Sequence, residues 1–159
     1  MKLLFATTNP NKVREVRHAL RGMPYEILTP ADVGPMPEPE ETGSTYWENA
    51  RIKALAYAQA TRLTTIAEDS GFEVDALGGA PGVHSARFLG AATAYPDRFA
   101  EIYRRLAAGQ SSARFVTALA VARGDELLFE TESAIEGTVA PGPVGQNPAC
   151  PADKQGQHP

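Results

Sequence analysis

Apolar and polar positions alternate in a pattern that lays out most of the elements. Residues 2–7 begin with a short apolar run, Asn9, Pro10 and Asn11 supply turn chemistry, and Val13, Val16 and Leu20 then recur at helical spacing. This predicts a strand, a loop and a helix. Gly22 and Pro24 end that helix, and residues 25–28 read as a second strand. Residues 29–44, with four prolines and the acids Glu38, Glu40 and Glu41, read as one long loop, a length usually found where a loop has a function or is disordered. Thr45 and Glu48 have capping-box spacing. They open a helix with Trp47, Ala50, Ala54, Leu55 and Ala58 along one stripe, and Asn49 and Lys53, four apart, share a face beside it. Residues 63–67 read as a strand ending in Glu68, Asp69, Ser70 and Gly71. A glycine-rich loop over 77–87 follows, then a helix in which Pro96 marks the first turn and Phe99, Ile102 and Leu106 form the stripe. Residues 115–122 and 127–129, joined at Arg123, Gly124, Asp125 and Glu126, read as a β-hairpin.

The last nineteen residues differ from the rest, holding five of the thirteen prolines and three of the five glutamines, with Val144 the last large aliphatic side chain. Such a segment buries little apolar surface, so the expectation is one domain over 1–143 and a disordered or surface-draped tail over 144–159. A chain of 159 residues suits one α/β domain with a real core. The formal charge of −4 argues against a broad basic surface for nucleic acid but leaves room for a local basic site that grips a small polyanion. A single cysteine, Cys150, excludes an internal disulfide and suits a reducing compartment. The opening apolar run is too short for a signal peptide, and no stretch approaches membrane-spanning length, so a cytoplasmic location is expected.

Two places stand out chemically. Thr7, Thr8, Asn9, Pro10, Asn11 and Lys12 lie where a strand gives way to a helix, a position whose free N–H groups and dipole attract phosphate; simple capping by Asn9 or Asn11 explains the same residues. Glu68 and Asp69 follow an apolar strand, where open α/β sheets present ligands. With Glu41 from the acidic loop, they offer the carboxylates that Mg²⁺ accepts alongside phosphates and waters, although ion pairing within the fold would also account for them. Lys12, Lys53 and Arg87 are candidate phosphate contacts, or a surface lysine and a loop tether.

Taken in order, the T-T-N-P-N-K segment at Thr7–Lys12, Glu40-Glu41-Thr42-Gly43, Glu48-Asn49-Ala50 with Lys53, Glu68-Asp69-Ser70-Gly71 and L-G-G-A-P-G with Ser85, Ala86 and Arg87 strongly resemble the inosine/xanthosine triphosphate pyrophosphatase family over residues 1–145. The resemblance implies a mixed α/β fold with a long central sheet flanked by helices, a homodimer, and Mg²⁺-dependent hydrolysis of ITP, dITP and XTP to the monophosphate and pyrophosphate. It further implies that Thr7 to Lys12 bind the triphosphate and that Asn49 and Lys53 support it. Ser70 and Arg87 would touch substrate, Glu41 would hold metal with Glu68 and Asp69, and Asp69 would also accept the proton. Where the family often has two aspartates, Glu68 precedes Asp69. Family members continue past the equivalent of Pro143 into G-F-G-Y-D-P and S-H-R segments that form much of the base pocket, and residues 144–159 hold neither. That contrast suggests a shifted reading frame, and it sets beside the enzyme a second reading, a catalytically impaired nucleotide-binding fragment or dimer partner.

Overall fold

A computed structural model describes residues 1–90, 92–106 and 111–140, apart from the side chains of Ala86, Arg87 and Tyr95. The atypical tail over 144–159 lies outside the described residues. Five strands form one sheet in the order β2-β1-β3-β4-β5, comprising β1 (Lys2–Phe5), β2 (Glu26–Leu28), β3 (Thr64–Val74), β4 (Ser112–Arg123) and β5 (Glu126–Thr138). β1 runs parallel to both its neighbours, pairing Leu3 with Ile27 and Leu3 with Thr64. β4 and β5 are adjacent and joined by two residues, a connection only antiparallel strands can make, so the sheet is mixed. Gly124 in that turn has φ +57°, a conformation glycine adopts without strain. The helices are α1 (Pro10–Ala19), α2 (Pro30–Val33), α3 (Tyr46–Thr61) and α4 (Tyr95–Arg105), with 3₁₀ turns at Asp75–Leu77 and Gly82–Arg87.

The chain divides into two compact units, one built from Met1–Ser70 and Thr117–Ser133, the other from the described residues of Gly71–Val116 and those from Ala134 to 140. In the first, Leu3, Phe5, Val13 and Ile27 form a buried cluster, with Val16, Leu20 and Ile66 packed against it. Leu4, on the other face of β1, is also fully buried, as expected of a central strand covered on both sides. The periodicity of α1 is thus the reason it crosses over the sheet: its Val13, Val16 and Leu20 stripe has Leu3, Phe5 and Ile27 to bury against. In the second unit, Val74, Ile102 and Ala113 are buried, surrounded by Phe72, Leu77, Phe88, Leu106 and Val139. Phe99, read as part of the α4 stripe, is 38% exposed, so the buried residue of that stripe is Ile102, with Leu106 partly buried against the same cluster.

Three elements depart from the sequence reading, one being β5, read as 127–129 and found over Glu126–Thr138. The loop over 29–44 contains α2, because Thr29 and Asp32 form a capping box around Pro30, a residue preorganised for a first helical turn. β3 does not end at Ala67 but continues to Val74. Its polar interruption at Glu68, Asp69 and Ser70 is tolerated because all three side chains find partners, and strand geometry resumes with Phe72 packed into a core and Val74 fully buried.

Candidate functional site

Pairing between β1 and β3 ends at Phe5 and Ile66, with a last bond from the Ala6 N–H to the Ile66 carbonyl. β3 therefore outlasts β1. Glu68, Asp69 and Ser70 lie just past the carboxyl end of β1, where the chain turns off through Thr7 and Thr8 into α1. Asn9 caps that helix, accepting from the Asn11 N–H at 2.9 Å, while the Thr7 hydroxyl accepts from the Asn9 N–H. The capping role read for Asn9 is thus observed, and it fixes the turn that aims Lys12.

Successive residues on a strand point to opposite faces, and β3 uses this to separate two groups of side chains. On one face, the Lys12 ammonium meets a Glu68 carboxylate oxygen at 2.6 Å and the Ser70 hydroxyl at 3.2 Å; that hydroxyl in turn donates to Glu68. On the other, Asp69 accepts from the Asn49 side-chain amide at 3.0 Å and from the Ser70 backbone N–H. Lys53 lies between Glu41, 2.6 Å away, and the Glu68 carbonyl at 3.1 Å. Both Lys53 and Asn49 reach this place because α3 starts where its capping box fixes it: the Thr45 hydroxyl accepts from the Glu48 N–H, and Glu48 accepts from the Ser44 and Thr45 N–H groups. Glu48 is thereby committed to the cap.

Asn49 is fully buried and joins two segments of the site. Its carbonyl oxygen accepts from the Gly43 N–H at 2.8 Å while its amide holds Asp69, which ties the acidic loop to β3. Gly43 is required there: a Cβ would come within 2.6 Å of both the Asn49 side-chain oxygen and the Glu48 Cβ. Sequence reading placed Asn49 among phosphate contacts and gave Gly43 no role of its own; neither spacing nor residue type announces this hydrogen-bond bridge.

The electrostatics follow the same geometry. Burial pushes the Asp69 carboxyl up from its ordinary pKa, the Asn49 amide and Lys53 ammonium pull it back, the Glu41 charge raises it, and the Ser70 N–H lowers it. Glu41 and Asp69 therefore feel each other although 28 positions separate them in the chain. As donors to a hard cation, they fit. Among the described residues no three or more His, Cys, Asp or Glu side chains gather into a metal cluster, and one or two carboxylates completed by phosphate and water is the mode Mg²⁺ prefers. Glu68, read from sequence as a further metal ligand, instead has its carboxylate engaged by Lys12 and Ser70. The Arg87 side chain lies outside the described residues, and its backbone falls within the 3₁₀ turn of the second unit.

A model of the Ham1 family matches residues 3–149. The chain belongs to the Ham1 family. It is 42% identical over 151 residues to a dITP/XTP pyrophosphatase of Thermus thermophilus, spanning 92% of this chain and 71% of that protein. Against the dITP/XTP pyrophosphatase of Rhodopseudomonas palustris it is 42% identical, with coverage of 91% and 71%. Among solved structures, a HAM1 protein from Coxiella burnetii superimposes with a TM-score of 0.85 at 31% identity, covering 92% of this chain and 77% of that one. A nucleoside-triphosphatase / dITP/XTP pyrophosphatase from Mycobacterium abscessus gives 0.77 at 35% identity, covering 92% and 78%. The mixed sheet flanked by helices is thus the Ham1 fold, as the sequence resemblance implies.

Proposed function

We propose that this Ham1 chain hydrolyses non-standard purine nucleoside triphosphates, the ITP, dITP and XTP class, to the monophosphate and pyrophosphate, and so cleanses the cytoplasmic nucleotide pool. The observation that carries this reading is the half-buried Asp69, held by Asn49, under the charges of Glu41 and Lys53, with Lys12 on the other face of β3. The name dITP/XTP pyrophosphatase borne by its relatives supports that substrate class.

In this reading the Thr7–Lys12 turn takes the phosphates, with the Lys12 ammonium exchanging its bond to Glu68 for a phosphate oxygen. Lys53 places a second positive charge beside Glu41 and Asp69. Mg²⁺ bound to Glu41 and Asp69 would supply charge compensation, without which carboxylates and a triphosphate bearing about four negative charges repel each other. The Asp69 carboxylate takes a proton from the attacking water. The water oxygen bonds to the α-phosphorus, the bond from that phosphorus to the bridging oxygen breaks, and pyrophosphate leaves with the electron pair. A carboxyl raised from its ordinary pKa by burial is a better proton acceptor than an exposed one. Assembly as a homodimer belongs to the same proposal and is checked by sedimentation.

Product analysis tests the reading. With Mg²⁺, the purified protein is expected to release IMP and pyrophosphate from ITP faster than AMP and pyrophosphate from ATP, and Asp69→Asn to slow the release by about 10²–10⁴-fold. Orthophosphate as the product would instead indicate a broad phosphatase. Equal, metal-independent background from both proteins would leave a nucleotide-binding fragment or dimer partner.

A further inference from the structure

The first unit carries a second basic feature that the proposed chemistry does not use. A groove of ≈ 1020 Å³ runs along α1 opposite the β2–α2 connection, lined by Arg14, Arg17, Arg21 and Thr29 and also by Thr7 and Thr8 of the proposed phosphate turn. At about 100° per residue, Arg14 and Arg17 project about 140–200° around the helix from Lys12, and Arg21 follows in the turn just past the α1 C-cap, Leu20. The Val13, Val16 and Leu20 stripe lies to one side of both. α1 therefore directs Lys12 toward β3 and its arginine row toward β2, where Arg17 donates to the Ile27 carbonyl at 3.2 Å.

Charge makes this groove unusual in a chain of net −4. Among the described residues, Arg14 and Arg21 form neither an ion pair nor a side-chain hydrogen bond, so two guanidinium groups are uncommitted. Of the nearby acids, Asp32 is held by the Thr29 N–H and hydroxyl, which leaves Glu15 as the acid lining the groove. Three guanidinium groups, two on α1 and one in the turn after it, with Thr29 at the facing wall, match a compact anion bearing several phosphates. The row is too short, and the chain too acidic, for the extended basic track that nucleic acid requires.

We propose that the arginine-lined part of this groove is a second anion site, which binds a small polyphosphate through Arg14, Arg17 and Arg21 without Lys12. The test is calorimetric titration with inorganic tripolyphosphate in the presence of EDTA, which requires no turnover and so succeeds or fails independently of the proposed hydrolysis. Arg14→Gln with Arg21→Gln is expected to weaken binding by about tenfold or more, since charge-assisted phosphate contacts are lost, while Lys12→Met retains groove binding. Unchanged thermal midpoints would show that these exposed substitutions leave the fold intact. Unchanged affinity in the arginine double variant would overturn the proposal, as would loss confined to Lys12→Met. A single-stranded oligonucleotide that binds through these arginines and is not displaced by tripolyphosphate would overturn it as well.

Discussion

Asn49 shows how much one buried amide can decide. It donates to Asp69 and accepts from Gly43 with no exposed surface of its own, so truncation leaves two polar groups without their partner. Asn49→Ala is expected to cost about 1–3 kcal/mol of stability, read by denaturant unfolding. It also removes a donor that holds the Asp69 pKa down against burial. Because the reaction needs ionised Asp69, the acidic limb of the kcat/KM profile should move to higher pH in this variant. An unmoved limb would limit Asn49 to a structural role. Gly43→Ala attacks the same bridge from the loop side. The added Cβ meets the Asn49 backbone nitrogen at 2.9 Å as well as its side chain, so the loop must shift. About 1–3 kcal/mol of destabilisation is expected, together with a higher Mg²⁺ requirement as Glu41 is carried away from Asp69.

At the scale of elements, α4 supplies a pH test. Arg104 and Arg105 both bond Glu101 and hold its carboxyl down to about 2. A carboxylate with a lowered folded pKa contributes stability above its unfolded value, and that contribution is lost as pH falls through the folded one. Glu101→Gln should therefore destabilise the protein slightly at pH 7 and progressively less between about pH 4.5 and 2. Because the group is exposed, the effect should shrink in high salt; denaturant titrations across that range check both trends. The helices were legible in the sequence wherever cap and stripe agreed. Asn9 with Pro10 opens α1, Thr45 with Glu48 opens α3, and Pro96 lies in the first turn of α4. What stayed hidden depended on tertiary partners. Glu68, Asp69 and Ser70 look like the end of a strand until Lys12, Asn49 and the core around Val74 are in place. Tyr46 and Tyr57, buried on α3, share the face of Ala50 and Ala54, although their hydroxyls set them apart from an apolar stripe read by residue type. For the site, residue types and order single out Lys12, Asn49, Lys53, Glu41 and Asp69, and the structure links them to β3 or to one another by hydrogen bonds and ion pairs. Which face of β3 each would occupy is set by strand alternation, and this is what parts Glu68 from the Glu41–Asp69 pair.

For the whole molecule, the β2-β1-β3 order with parallel pairing brings three distant segments to the carboxyl end of β1: the first turn of α1, the acidic loop tied through Asn49, and the polar middle of β3. The central claim is that Glu41 and Asp69 act on one and the same divalent ion. A double-mutant cycle measures this directly, with Mg²⁺-activated pyrophosphate release from ITP compared for Glu41→Gln, Asp69→Asn and the pair together. If they share an ion, the double variant should lose little more than the more damaging single variant. Losses that multiply, with the Mg²⁺ requirement unchanged by Glu41→Gln, would show two independent groups and contradict a shared centre.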